Sequence, residues 1–524
     1  MKVLIVTGIR AKDIVKENLR RSGFDHEICI LPVPVAALMS IQYIASMLQK
    51  KDLSGIDLVL IPGLIKGDAS VIKKRIGIKS WKGPKNAADL PNILEIIEKV
   101  KFSTIFPADE KISETRIKDT EKSLNRIEKE SKKTTLKENL FFLGKGKRRL
   151  FLGPTFPMRV LAEIVDASIM STKEIKKKAR IYDESGADII DVGMVAGGGH
   201  PKNSSRAIKA VKECTKKPVS IDAQDPEEII YAIKAGADLI LSIDAENMSK
   251  IAEFAVNTPV VVTAAGRKHV LEENIEKRIS QLNENISRAR SLGYKSIVAD
   301  PVLSPIFSPN LSKSIQAYLR FREINSNMPV LFGSGNVTEL IDGDSIGANL
   351  LLAGIAAEVG ANILLTTEGS VKTKNSVSEV VKAAKMITLA SHRKSSPKDL
   401  GIDLLIMKDK NWREETYKFT GKIKELSSKE NLASAHDQRG SYRILIDRDM
   451  NEIVMAHYDY GNVKPDIILK SKEPNSLIAE AINRNLISRL EHAYYLGREL
   501  EKAKIAILSG KNYIQDQELF FGRS

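Results

Sequence analysis

The sequence predicts an α/β protein: a central (β/α)8 TIM barrel, preceded by a doubly wound α/β domain and followed by an α+β domain. Three observations carry this. Between about residue 158 and residue 395, eight strand-like apolar runs recur, each followed by a segment of helical periodicity. The units are of near-equal length, and about 240 residues is the size of such a barrel. Three helix-to-strand junctions repeat one another, "SGADIID", "AGADLIL" and "VGANILL". Their Gly ends the helix, and the small residue after it lets the strand pack closely. An open doubly wound sheet is the alternative; the equal units and the repeated junction favour the barrel.

Residues 1–110 read as a Rossmann- or flavodoxin-like domain. "KVLIVTG", "HEICILPV" and "DLVLIPG" are near-continuous apolar runs separated by helical patterns, as in a parallel sheet covered on both faces. Their ends, Gly8, Pro32 and Gly63, would line any ligand crevice. Neither GxGxxG nor a Walker sequence is present, so a nucleotide site has no support. Residues 111–150 comprise a charged helix, read as a solvated linker, and a hairpin with "GKGKRR" at its tip. The barrel occupies 151–395. Residues 396–524 form the α+β domain: "IDLLIMKD" as a strand, "YRILIDRDMNEIVMAHYD" as a hairpin, and one long helix from "SLIAEAI" to "AILSG". His492, Tyr494 and Tyr495 on that helix read as packing residues.

Composition sets the outer limits. The 524 residues suffice for about three domains, and 43% hydrophobic with 28% charged residues excludes a disordered or fibrous chain. Cys29 and Cys214 alone cannot build a disulfide framework or a structural zinc site, which fits a reducing cytosol. No run of 18 apolar residues occurs, and the N-terminus lacks the pattern of a signal peptide, so a cytoplasmic protein that avoids membranes is expected. The net charge, 81 − 66 = +15, invites a nucleic-acid reading. Its lysines alternate with glutamates and few aromatics lie among them, so solvated helix faces are favoured and no nucleic-acid partner is expected.

A TIM barrel carries its site at the C-terminal ends of its strands. There the sequence places Glu163, Asp166, Asp191, Asp222, Ser242, Asp244, Thr263, Asp300, Asn336 and Thr366 to Glu368. This is a mouth of carboxylates without a Ser–His pair, a reactive cysteine or a His-rich metal set. Buried carboxylates need donors, and a planar heterocycle with a ring N–H and an exocyclic amino group supplies two in parallel. Asp222 in "VSIDAQDPEE" and Asp300 in "IVADPVLSP" stand out, although each could also serve only as a helix cap or rim residue.

These stretches, together with "SGADIIDVG", resemble the pterin-binding family of TIM barrels, which holds dihydropteroate synthases and pterin-dependent methyltransferases. With domains on both sides, the chain resembles archaeal dihydropteroate-synthase-related proteins. The resemblance implies that Asp222 and Asp300 hold a pterin as substrate or cofactor, with Ser242 or Asp244 at the place of the family's fourth-strand Asn. Asp166 falls where synthases have an Asn near pyrophosphate and magnesium, which makes it the candidate for Mg2+. The synthase cations of strands seven and eight are missing from "VLFGSGNVTEL" and "ANILLTTEGS". Lys202 and Arg206, beyond the glycines of "MVAGGGHPKNSSR", are the candidate replacements. "GSGNVTE" resembles the methyltransferases instead, with Asn336 by the pterin nitrogen that bears the methyl group. The implied function is a synthase-like condensation of a hydroxymethyl-dihydropterin diphosphate with an arylamine in folate- or methanopterin-type biosynthesis, with Asp166, Asn336 and Lys202 as catalytic candidates. Methyl-tetrahydropterin-dependent methyl transfer and noncatalytic pterin binding stay open. So do a protein partner for the terminal domains and a homodimer.

Overall fold

The computed structural model describes every residue except 21–22, 99, 136–139, 145, 147–148, 266–272, 409–423, 425–436 and 521–524, and the side chains of 110–119. The described chain divides into two compact units, Met1–Glu368 with Asn375–Leu404, and Gly369–Lys374 with Leu405–Ser524.

The first unit opens with β1 (Val3–Gly8), α1 (Lys12–Leu19), β2 (His26–Leu31), α2 (Ile41–Leu48), β3 (Leu58–Ile61), α3 (Ser70–Ile76), β4 (Lys79–Lys82) and α4 (Leu90–Ile96). The strands form a parallel sheet in the order β2-β1-β3-β4, with a buried cluster on each face. β4 ("KSWK") is an additional strand that apolar patterning could not reveal, since three of its four residues are polar. The expected crevice at the strand ends is filled by the chain itself. A Cβ on Gly8 would lie 2.7 Å from the Val33 carbonyl, and one on Gly63 2.4 Å from that of Gly83.

The charged helix α5 (Asp109–Thr134) is more than a solvated linker. Ile127 is buried with Met386, Leu389 and Leu400, and Glu128 accepts from Arg159 through both oxygens, at 2.9 and 2.7 Å. Its described contacts run along Thr120, Leu124, Ile127, Glu128 and Ser131, a mixed polar face that does not show against so many charges. The hairpin β5 (Phe141–Leu143) and β6 (Leu150–Leu152) follows, and part of its expected basic tip lies outside the described residues.

All eight predicted runs are strands: β7 (Arg159–Ile164), β8 (Ile189–Gly193), β9 (Val219–Asp222), β10 (Leu239–Ile243), β11 (Val260–Thr263), β12 (Ile297–Asp300), β13 (Leu331–Gly333) and β14 (Ile363–Thr367). They pair in parallel in the order β12-β11-β10-β9-β8-β7-β14-β13, and a bridge from Ala299 to Val330 brings the two ends together. The intervening helices are α6 (Thr172–Glu184), α7 (Pro201–Cys214), α8 (Pro226–Lys234), α9 (Met248–Ala255), α10 (Ile275–Ser291), α11 (Leu311–Ile324), the short α12 (Gly335–Thr338) and α13 (Ser345–Glu358); α14 (Ser376–Arg393) follows the last strand. The repeated junction acts as a staple. The side chains of Asp188, Asp238 and Asn362 accept from the main-chain N–H of Val160, Val219 and Val330 at the foot of a neighbouring strand, at 2.9, 3.0 and 3.0 Å. Gly186, Gly236 and Gly360, which end the helices, have φ of +95, +96 and +75°.

Strand alternation then sorts the barrel interior. Leu161, Ile189, Leu239, Val261, Val298, Leu331 and Ile363 form an apolar floor, closed from below by Leu143 and Leu152 of the hairpin. Two residues further along the strands, the same inward face carries Glu163, Asp191, Thr263, Asp300, Gly333 and Leu365.

The second unit contains a meander of β15 (Ser441–Asp447), β16 (Glu452–Tyr458) and β17 (Ile467–Ser471), with α15 (Pro474–Asn483) and α16 (Leu490–Ser509). Three expectations need correction. The described part of "IDLLIMKD" is not a strand, and the long helix is two, interrupted where Asn485 takes φ +56°. His492 pairs with Asp437 at 3.0 Å and Tyr495 is half-buried, whereas Tyr494 is exposed and does not pack.

Candidate functional site

The inward layer above the apolar floor brings together three carboxylates from neighbouring strands. One oxygen each from Glu163, Asp191 and Asp222 lies within 4.8 Å of the others. Gly193 makes this convergence feasible: it stands inward on β8 between Glu163 on β7 and Asp222 on β9, and a Cβ there would sit 2.2 Å from Glu163 Oε1. The Glu163 carboxylate therefore reaches over a bare backbone towards Asp222. Asp191, level with Ser220 and one layer below Gly193 and Asp222, is fully buried; its Oδ1 accepts from Ser220 at 2.5 Å and its Oδ2 has no partner.

Asp300 on β12 is held differently. Its Oδ1 accepts from the Val302 N–H at 2.8 Å and from the Tyr318 hydroxyl at 3.1 Å, and the charge of the buried Arg278 favours its ionised form. Burial is the main cause that pushes both Asp300 and Asp222 up to about 6; for Asp222 the charge of Asp300 adds to it. Glu163 is pushed up to about 7, first by burial and then by Asp222, Asp166 and Glu339. Asp191 is raised well above the usual carboxylate range by burial and by the charges of Asp222 and Glu163.

Other sequence candidates take different positions. Ser242 is half-buried on β10, and its carbonyl accepts from Asn247 at 3.2 Å. Asp244 is buried, and its Oδ1 accepts from the Glu246 and Asn247 N–H groups at 2.8 and 3.3 Å, which engages it in the turn into α9. Asn336 is exposed; its Nδ2 donates to the Leu303 carbonyl at 3.0 Å. Lys202 is exposed on α7. Arg206 is not a spare cation, since it donates to the carbonyls of Met170 and Ser168, at 2.8 and 3.3 Å. Nor does the glycine loop lie open to an anion: the N–H groups of Gly199 and His200 donate to Asp225 and Glu228, both at 2.9 Å. The protein's own carboxylates occupy that cradle.

Asp166, the expected magnesium residue, is exposed just beyond β7 and stands outside the cluster of three. That cluster does not fit a resident Mg2+ either. The ion demands a near-octahedral shell and keeps several waters, whereas Asp191 is sealed from solvent with one oxygen already engaged by Ser220. Tyr318 and Arg278 escaped sequence reasoning because they project from α11 and α10, where a Tyr or an Arg looks like any other helix residue. Away from this mouth, a cavity of about 1000 Å³ lies at the barrel's opposite end, lined by Phe141, Lys212, Asp238, Arg290 and Lys295 among others. It contains none of the candidate residues. Among the described residues no helix is long and apolar enough to cross a membrane.

Residues 163–367 match the family described as "Pterin binding enzyme". Residues 436–516 match PterinBD-DUF4346, and residues 2–85 match a family of unknown function, DUF6513. An uncharacterized protein of Methanocaldococcus jannaschii is 39% identical over 99% of both chains. A dihydropteroate synthase of Clostridium beijerinckii is 27% identical over 32% of this chain and 65% of its own. Among solved structures, a dihydropteroate synthase from Xanthomonas albilineans in complex with 7,8-dihydropteroate aligns with a TM-score of 0.37 and 21% identity, covering 46% of this chain and 95% of its own.

Proposed function

The chain belongs to the same family as the Methanocaldococcus jannaschii protein and carries a dihydropteroate-synthase-like, pterin-binding domain, and from that premise we propose that Asp222 and Asp300 hold the pyrimidine edge of a reduced pterin on which the enzyme acts as a transferase. The observation that carries this reading is the pair itself: two half-buried carboxylates facing into one barrel mouth, near enough that the charge of one raises the other. A carboxylate accepts two parallel N–H bonds, and the ring N–H and amino group of a pterin supply them.

In the synthase-like reaction, the amine nitrogen of an arylamine attacks the methylene carbon of a hydroxymethyl-dihydropterin diphosphate. The C–N bond forms, the C–O bond breaks, the diphosphate leaves with the electron pair, and the amine loses a proton. The aspartates would orient the ring, and the apolar floor beneath would exclude water. A second reading, in which the ligand is a methyl- or methylene-tetrahydropterin, has Asn336, an exposed amide just beyond β13, as the residue beside the reacting nitrogen. The acidic mouth favours this reading, since its described residues offer a diphosphate little counter-charge.

Calorimetry with both pterins on wild type and Asp300→Asn tests the shared pocket. We expect binding by wild type and a loss of about 100-fold in the variant, of the order of one charge-assisted bidentate contact. Pyrophosphate release with an arylamine identifies the synthase; its absence, with tetrahydropterin binding weakened by Asn336→Ala, identifies the methyl or methylene carrier.

A further inference from the structure

The two sides of the mouth are built unlike each other. Asp300 receives a main-chain N–H and the Tyr318 hydroxyl on one oxygen, and the Arg278 guanidinium adds a favourable charge. These groups favour the anion against the burial that raises it. The opposite side is crowded with acid. Glu163 meets Asp191 from β8 and Asp222 from β9 within 4.8 Å, and it also feels Asp166 beyond β7 and Glu339 beyond α12. From α6 the group facing it is the buried phenol of Tyr182. Among the described residues the charges that raise Glu163 all belong to other carboxylates, so the cluster cannot be fully ionised without strong repulsion.

We propose that Glu163 works as a neutral carboxylic acid, donating a hydrogen bond to an acceptor atom of the bound heterocycle, while Asp300 across the mouth is the anion that accepts from it. The site thereby selects a neutral ring that offers paired N–H donors along one edge and a lone-pair acceptor elsewhere, and it disfavours the protonated or anionic forms of the same ring. This rests on the pterin reading above and adds a residue and a charge state to it. Asp191 cannot take the role, because it is sealed beneath the mouth. Glu163 can, because the missing side chain of Gly193 lets its carboxyl lie out over β8. Its pKa near 7 agrees with a proton held through the neutral range.

The test is the pH profile of binding for 6-hydroxymethyl-7,8-dihydropterin, measured by calorimetry from pH 5 to 9 on wild type and Glu163→Gln. Binding should rise as Asp300 ionises near pH 6 and fall as Glu163 loses its proton above about 7. Gln keeps a donor at every pH, so the variant should lack the alkaline fall and bind roughly 100-fold more tightly than wild type at pH 9, two units above the Glu163 value. Titration of the ligand itself is common to both proteins and cancels in the ratio. An identical alkaline fall in both overturns the assignment of Glu163 while leaving the pterin pocket standing. Failure of wild type to bind at any pH overturns the pocket itself. Should Glu163→Gln not fold, Glu163→Asp keeps the acid but withdraws it by a methylene. Weaker binding with the alkaline fall retained supports the proposal, and unchanged affinity overturns it.

Discussion

Tyr318→Phe removes one oxygen atom from a side chain that is 1% exposed and packed against Phe332 at a ring separation of 5.1 Å, so the shape of the core is retained. What is lost is the hydroxyl that donates to Asp300 at 3.1 Å. A hydrogen bond to a charged group contributes about 1.5–3 kcal/mol, equivalent to roughly one to two pKa units in favour of the carboxylate. Asp300, now at about 6, should therefore rise to between about 7 and 8 in the variant. A carboxyl of raised pKa is ionised only above that value, so anion-dependent binding is present at high pH and lost as pH falls through it. At pH 7 the ionised fraction would drop from about 90% to between about 50% and 10%, weakening pterin binding about two- to tenfold. Titrating the pterin by fluorescence from pH 5 to 8 reads this as a shift of the acid limb to higher pH. The reasoning is refuted if the acid limb stays in place, or if affinity falls equally at every pH.

Three further outcomes follow from the same geometry. Gly193→Ala places a methyl 2.2 Å from Glu163 Oε1, the free end of a side chain, so the carboxylate should swing away at a stability cost near 1 kcal/mol while the alkaline limb of pterin binding changes; differential scanning calorimetry and ligand titration read the two separately. Arg206→Ala removes donors to the Met170 and Ser168 carbonyls and should lower stability by about 1–3 kcal/mol in denaturant unfolding, whereas Lys202→Ala on the exposed face of the same helix should stay within about 0.5 kcal/mol of wild type. Exhaustive treatment with EDTA should leave pterin affinity unchanged in calorimetry, because the cluster of carboxylates does not depend on a divalent ion; a loss restored by magnesium would show the opposite.

The barrel was legible because it is written eight times over. Its strands are buried on both sides and read as apolar runs, and the junction residues Asp188, Asp238 and Asn362 repeat because each performs the same local bond. Asp222 and Asp300 were legible for the same reason: they close two of those runs. Charge obscured α5, whose contact face is mostly polar, and polarity obscured β4. Asn485 hid the break between α15 and α16, since an Asn inside an apolar helical pattern gives no warning that it will take a left-handed conformation.

By itself the sequence determined the order of elements and which residues stand at the mouth, because alternation along a strand and periodicity along a helix are local properties. Only the tertiary structure decided what those residues are to one another. Strand register set Glu163 beside Asp191 and brought both towards Asp222 over the bare backbone of Gly193. Helix packing delivered Tyr318 and Arg278 to Asp300, and loop closure engaged Arg206 and the glycine turn elsewhere. Burial and the distance between charges govern whether a carboxylate keeps its proton, and both are properties of the closed barrel rather than of any one segment.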